Sequence, residues 1–314
     1  MTGAGIAGEA ARSIADLCLA LDAVVRAGER VALDFGRHGD VRLKSPVQPV
    51  TDADVAVDRS LRERLLGERP GYGWLSEETA DDALRLERDR VWIVDPIDGT
   101  TSFIAGYPDS VVAVGLVDAR TGTAVIGVVF NPLTGELYWA VRGGGAYGVL
   151  IGTARHVEVE APLDGLARVA SVADIGPDGW GRFMIVHDVR TAPRHPLRVL
   201  VSREDEAEAT AAPPGWVRIT RGSTAYKMVG VASGIADAYY ARGPKSEWDL
   251  CGASLIVEES GGRATDLNGE ELRFNLADTN RTGIVCAADP AVHAQLLDWL
   301  RSGWRGPGKE GVET

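Results

Sequence analysis

Residues 91–101, Val-Trp-Ile-Val-Asp-Pro-Ile-Asp-Gly-Thr-Thr, decide how the rest of the chain is read. VWIVD is a compact apolar run of strand length, and Pro96 is expected to stop it. Asp95 and Asp98 then emerge together at the carboxyl end of the strand. Gly99-Thr100-Thr101 reads as a helix N-terminus, where unpaired N–H groups and the helix dipole favour an anion. Hard carboxylate oxygens beside such an end suggest magnesium holding a phosphate. Two capping aspartates in a tight turn are the plainer alternative.

Working outward, more acids gather. Glu77-Glu78 close the preceding strand in GYGWLSEET, and Asp249 opens a helix in SEWDLCGASLIVEESGG. Crowded carboxylates are costly unless a cation binds them. Taken singly, the Glu-Glu pair also fits a solvated loop, and Asp249 after Trp248 fits a helix cap.

The flanking sequence sets the architecture. Residues 8–35 carry apolar residues at three- and four-residue spacing, which predicts a long amphipathic helix. Thr51, with Asp54 three residues on, opens a second helix through a capping-box-like pair. ADDALRLERDR predicts a short polar helix. SVVAVGLVD, TAVIGVVFN and ELYWAV, separated by turn residues, predict an antiparallel meander, followed by the glycine-rich bend RGGGAYG. Residues 161–196 show no sustained period and read as an irregular connection. Beyond it PLRVLVS, EDEAEATAA, WVRIT, STAYKMVGVAS, IADAYYA and SEWDLCGASLIVEES alternate strand and helix. The expected organisation is an α+β half over 1–160, the connection 161–196, an α/β half over 197–304 with Asp249, and a disordered tail at 305–314.

Composition limits the partners. The 314 residues hold 33 Lys+Arg against 45 Asp+Glu, a formal net charge of −12, which repels long nucleic acids and anionic membranes. Small phosphorylated ligands stay admissible, because bound metal ions invert the local sign. Cys18, Cys251 and Cys286 stand far apart with no CxxC pair, so a disulfide framework is not expected and a reducing cytoplasm is. Glu9, Arg12 and Asp16 occupy the place of a signal peptide's apolar core, and no stretch suits a membrane span.

WIVDPIDGTTSF (92–103) and EWDLCGASLIVEESGG (247–262), supported by LSEET (75–79) and VTDAD (50–54), resemble the motifs of the inositol monophosphatase superfamily of metal-dependent, lithium-sensitive phosphatases. The resemblance runs from about residue 15 to about residue 300. It implies a five-layer αβαβα sandwich, two to three magnesium ions and, as often in the family, a homodimer. It also implies site roles. Glu77, Asp95 and the Ile97 carbonyl would bind one magnesium. Asp95, Asp98 and Asp249 would bind a second, with Glu77 shared by a third, weaker ion. Gly99 and Thr100 would donate N–H groups to the phosphate, and Thr100 Oγ and Asp54 would pair beside the attacking water. Lys44 matches the family's upstream lysine, though its spacing to Asp54 is one residue tighter than the inositol-type pattern. No His or Cys nucleophile is needed, and the histidines at 38, 156, 187, 195 and 293 read as structural or surface residues.

The superfamily includes inositol monophosphatases, 3'(2'),5'-bisphosphate nucleotidases, fructose-1,6-bisphosphatases and histidinol-phosphate phosphatases. Lys227, in a GSxxxK-like helix start, and Lys245, in GPKSEWD, favour a substrate with two phosphates. VSREDEA and GYGWLSEETADD also resemble the bacterial nucleotidase branch, whereas DPIDGTTSF resembles the inositol branch. Lys227 equally fits a solvated helix lysine, and Arg203 and Arg221 are open in the same way. The sequence therefore favours a bisphosphate nucleotidase over an inositol-1-monophosphatase or a related sugar, cyclitol or histidinol phosphatase. A catalytically silent binding relative would have lost one of Glu77, Asp95, Asp98, Asp249 or Thr100, and all five are present.

Overall fold

The computed structural model describes residues 3–35, 41–45, 48–151, 167–169, 195–203 and 212–302, with the side chains of 3–10, 44–45, 48 and 167–169 outside that description. Helix α1 (Gly3–Asp34) turns Leu17, Ala20, Leu21, Val24, Ala27 and Val31 inward, the three- and four-residue spacing of a single helical face. Strands β1 (Arg42–Ser45) and β2 (Gln48–Val50) form a small hairpin ahead of helix α2 (Asp52–Glu68). Thr51 caps α2 through the expected capping box with Asp54.

A seven-stranded sheet follows in the order β3 (Gly73–Ser76), β4 (Arg90–Asp98), β5 (Val111–Asp118), β6 (Thr123–Asn131), β7 (Glu136–Val141), β8 (Gly145–Ile151) and β9 (Ala167–Val169). Its interior is the predicted antiparallel meander, and its edge pairs β3–β4 and β8–β9 are parallel. Helix α3 (Thr100–Ile104) follows β4 directly. Three sequence expectations are adjusted here. Residues 83–87 wind as a 3-10 turn around the buried side chain of Arg85, not as an α-helix. Ala167–Val169, inside the segment read as a connection, pair with β8; three residues are too few to show a period. Strand β4 runs through Pro96 to Asp98, because the ladder to β5 is irregular there and needs no N–H from proline.

The remaining strands, β10 (Arg198–Ser202), β11 (Val217–Arg221), β12 (Ala238–Ala241), β14 (Arg263–Thr265) and β16 (Ile284–Ala287), form a five-stranded mixed sheet in the order β11-β10-β12-β16-β14. Helices α4 (Thr224–Ala232) and α5 (Glu247–Glu259) lie between the two sheets, and α6 (Pro290–Arg301) covers the outer face. A two-stranded pair, β13 (Lys245–Ser246) with β15 (Asn280–Arg281), borders the start of α5. The expected helix at EDEAEATAA and the tail at 305–314 lie outside the described residues, as does most of 161–196.

Three apolar cores make this a five-layer αβαβα sandwich. In β4 the alternation is clean: Trp92 and Val94 pack toward α1 and α2, whereas Val91 and Ile93 pack toward α4 and α5. A third core joins Val199, Val201, Tyr240 and Val285 to Leu296 and Leu297 of α6. Helix α5 lies almost flush on the seven-stranded sheet. A Cβ on Gly127 would come within 2.1 Å of the Gly252 carbonyl oxygen, and one on Gly252 within 2.5 Å of the Val114 oxygen. This close approach sets how deep the start of α5, and Asp249 with it, reaches toward the end of β4.

Candidate active site

Strand β4 presents two carboxylates through a local irregularity. Asp95 pairs with Ala113 and Asp98 with Val111, so three steps on β4 match two on β5. The extra residue is a bulge, and it restores parity. Without it, residues three apart on a strand would point to opposite faces. Ile97 packs on the α1–α2 side, leaving Asp95 and Asp98 on the side of α4 and α5.

Asp249 meets them from α5. It lies at the third position of that helix, where its Oδ2 accepts the Ser246 N–H at 2.9 Å. One carboxylate oxygen each from Asp95, Asp98 and Asp249 falls within 4.8 Å of the others. Asp98 is further gripped by the start of α4: Ser223 Oγ donates to it at 2.7 Å, the Thr224 N–H at 3.2 Å and the Ala225 N–H at 2.5 Å. In the sequence Ser223 stands out only as part of the helix start that carries Lys227, with no role of its own. The nearest signal was the Gly222-Ser223 pair at a helix start, where Ser223 adopts φ 58°.

The electrostatics are those of a cation site. Asp95 is 1% exposed and its Oδ1 has no hydrogen-bond partner among the described residues. Burial, then the charges of Glu77, Asp98, Asp249 and Asp54, hold its carboxyl well above the usual range. Burial and Asp98 likewise raise Asp249 to about 7, against the opposing pull of Lys245 and the Ser246 N–H. A buried, unpartnered carboxylate oxygen among like charges fits hard divalent cations such as Mg2+, which prefer oxygen ligands.

Glu77, half-buried just past β3, donates its own N–H to the Val94 carbonyl at 3.3 Å. It falls outside the tightest three-acid group yet is the strongest charged neighbour of Asp95. On the other side of the acids, Gly99 takes φ 95°, a left-handed conformation that glycine adopts without strain, and turns the chain into α3. That helix has five residues, so its first N–H groups matter more than a long dipole. Thr100 Oγ donates toward Asp54 Oδ1 at 3.1 Å and the Ile97 carbonyl at 3.0 Å. Asp54, 1% exposed, is fixed by the Thr51 N–H at 2.7 Å and Thr51 Oγ1 at 2.5 Å.

One cleft joins these groups. Glu77, Asp95, Ile97, Asp98, Gly99, Thr100 and Asp249 line it together with Lys227, Lys245 and Arg203. Lys227 is no solvated lysine: it is 2% exposed, with its ammonium 5.1 Å from the centre of the Tyr239 ring. Arg203 pairs with Asp109 at 2.5 Å and lies over the Tyr107 ring. Asp109, which sequence reasoning passed over, also accepts the Gly222 N–H. Arg221 stacks on Tyr226 away from the cleft lining. The Lys44 side chain lies outside the described residues. Cys18, Cys251 and Cys286 form no disulfide among the described residues, and the last two are buried. His293 is buried against Thr265 and His195 is exposed, and neither lines the cleft; His38, His156 and His187 lie outside the described residues.

The sequence model of the inositol monophosphatase family matches residues 16–304. An inositol-1-monophosphatase of Rhizobium meliloti is 33% identical over 79% of this chain and 84% of its own length. A histidinol-phosphatase of Mycobacterium tuberculosis is 34% identical over 92% of this chain and 98% of its own. Among solved structures, CysQ from Bacteroides thetaiotaomicron superposes with a TM-score of 0.65 at 26% identity, covering 88% of this chain and 98% of that one.

Proposed function

This chain belongs to the inositol monophosphatase family and is a metal-dependent phosphomonoester hydrolase; within that class we propose that it removes one phosphate from a 3'(2'),5'-bisphosphorylated nucleotide. The observation that carries the choice is Lys227, a buried cation on the lining of the cleft that also holds the acids, with Lys245 and Arg203 on the same lining. A substrate bearing a second phosphate would use that positive wall, while its scissile phosphate sits at the acidic one.

Glu77, Asp95, Asp98, Asp249 and the Ile97 carbonyl would hold two to three magnesium ions. Bound magnesium supplies Lewis acidity and offsets charge on the transferring phosphoryl group. The chain's own groups do the positioning. N–H groups of Gly99 and Thr100, at the start of α3, would donate to the phosphate. Thr100 Oγ has its hydrogen directed at Asp54 and the Ile97 oxygen, so its lone pairs can accept a hydrogen bond from the attacking water. As the water oxygen bonds to phosphorus, its proton passes to Thr100 Oγ and the threonine proton to Asp54, while the ester P–O bond breaks and the departing alkoxide takes up a proton from solvent water. Lys227 and Lys245 hold the second phosphate and orient the ester for in-line attack.

Side-by-side kcat/KM values with magnesium for adenosine 3',5'-bisphosphate, inositol 1-phosphate, fructose 1,6-bisphosphate and histidinol phosphate test the reading. The bisphosphate nucleotide is expected to be hydrolysed best, and a higher value for inositol 1-phosphate would reverse the assignment. That second reading draws support from the similar inositol-1-monophosphatase of Rhizobium meliloti.

A further inference from the structure

We propose that Asp58 is a positioning residue for the metal site, acting through Glu77. The inference rests on the reading of Glu77 as a metal ligand. Asp54 and Asp58 stand four residues apart on α2, hence on one face of the helix. Asp54 reaches Thr100, at the phosphate end of the cleft. Asp58, 6% exposed, reaches the segment that carries Glu77. Ser76 Oγ donates to Asp58 Oδ1, and Thr79 Oγ1 donates to Asp58 Oδ2 at 2.5 Å. Both oxygens of one carboxylate thus bracket Glu77 and Glu78.

The bracket is closed from inside. The Glu78 N–H donates to Ser76 Oγ at 3.4 Å, and the Glu77 N–H to the Val94 carbonyl at 3.3 Å. Glu77 sits just past β3, a short edge strand of the sheet, where the chain bends over residues 77–79. The Glu77 N–H bond to Val94 is the last rung of the ladder to β4, whose residue pairs end at Ser76. Beyond that rung Asp58 holds the segment, so a single helix sets the relative position of Thr100 and Glu77 at the two ends of the cleft. Its effect is geometric rather than coulombic. The charges acting most on Asp95 are those of Glu77, Asp98, Asp249 and Asp54, and Asp58 is not among them. Partners one step removed from a metal in this way typically govern affinity rather than ligand identity.

The test is calorimetric titration of the full-length protein with Mg2+, without substrate, on Asp58→Ala, Asp58→Asn, Thr79→Val and Glu77→Gln. Asp58→Ala is expected to weaken Mg2+ binding roughly 10- to 100-fold. Asp58→Asn is expected to retain most of the affinity, because its amide can still bond both hydroxyls once they reorient. Asparagine as weak as alanine would overturn the inference, since charge rather than position would then be at work. So would unchanged affinity in Asp58→Ala alongside weakened affinity in Glu77→Gln. Should Asp58→Ala fail to fold, Thr79→Val takes its place: weaker binding supports the inference, and unchanged binding overturns it. Unchanged affinity in Glu77→Gln would remove the ligand reading of Glu77, and this inference with it.

Discussion

Asp95 and Asp98, three residues apart on β4, present their carboxylates on the same side because one extra residue of β4 is absorbed between their partners Ala113 and Val111. The site is therefore built by the backbone as much as by the acids. The bulge turns both carboxylates toward α4 and α5, the start of α4 grips one of them, and the flush seat of α5 brings the third.

Asp95→Asn separates the metal from the fold. Burial and neighbouring charges already hold the Asp95 carboxyl well above its usual range, so a neutral amide of the same shape disturbs the metal-free protein little. Its melting temperature in a chelator is expected within about 2 °C of wild type. Magnesium at 100 times its dissociation constant should stabilise wild type by about 2.7 kcal/mol and the variant far less. Phosphate release should fall at least about 100-fold. Differential scanning fluorimetry with and without Mg2+, beside a phosphate assay, decides it, and an Asp95→Asn variant that responds to magnesium as wild type does would remove Asp95 from the ligand set.

Lys227→Met keeps the buried volume and removes the cation. A hydrogen bond between charged groups contributes about 1.5–3 kcal/mol, so kcat/KM for a nucleoside bisphosphate should drop roughly 10- to 150-fold. Inositol 1-phosphate, with no second phosphate, should lose much less. Equal losses on the two substrates would mean that Lys227 balances the acids instead of reading the substrate.

Gly252→Ala probes the seat of α5. Its new methyl would stand 2.5 Å from the Val114 carbonyl oxygen, a backbone atom that cannot swing aside. The helix must lift or the sheet must bend, at a cost of about 1–3 kcal/mol in urea melts. Because Asp249 lies one turn earlier on the same helix, Mg2+ affinity should fall along with stability. A variant destabilised yet wild-type in Mg2+ titration would show that Asp249 is placed independently of that contact.

These residues also mark what the sequence could and could not disclose. The helix starts near Thr51 and Asp249, the meander and the four acidic motifs were legible, because caps, alternation and turn residues are local signals. The bulge at Pro96–Ile97 was not, since it arises from pairing with β5 and looks in sequence like a strand stop. Ser223 on Asp98 joins positions 125 residues apart, which no local pattern predicts. Lys227 stayed ambiguous for a related reason. Every residue of α4 is buried because the helix lies between two sheets, so facial polarity no longer separates a buried lysine from a solvated one.

His293 supplies a pH dependence away from the acids. It is buried on α6 with its Nε2 2.9 Å from Thr265 Oγ1, and Arg263 and Arg301 stand nearby as positive charges. Burial first, then those arginines, lower its pKa from 6.5 to about 4. The folded state therefore holds a neutral ring where the unfolded chain would bind a proton. Stability from this residue is complete above pH 6.5 and is lost progressively as pH falls from there toward 4. His293→Gln keeps a hydrogen-bonding group and removes the titration. Acidification also changes the carboxylates, but it does so in both proteins, so the informative quantity is the stability gap between them. Urea unfolding at pH 7.5 and pH 4.5 should show that gap move against wild type by on the order of 1–2 kcal/mol at the lower pH. A gap that stays constant would mean that the folded protein accommodates a protonated His293, through water reaching the ring or through movement of Arg263 and Arg301.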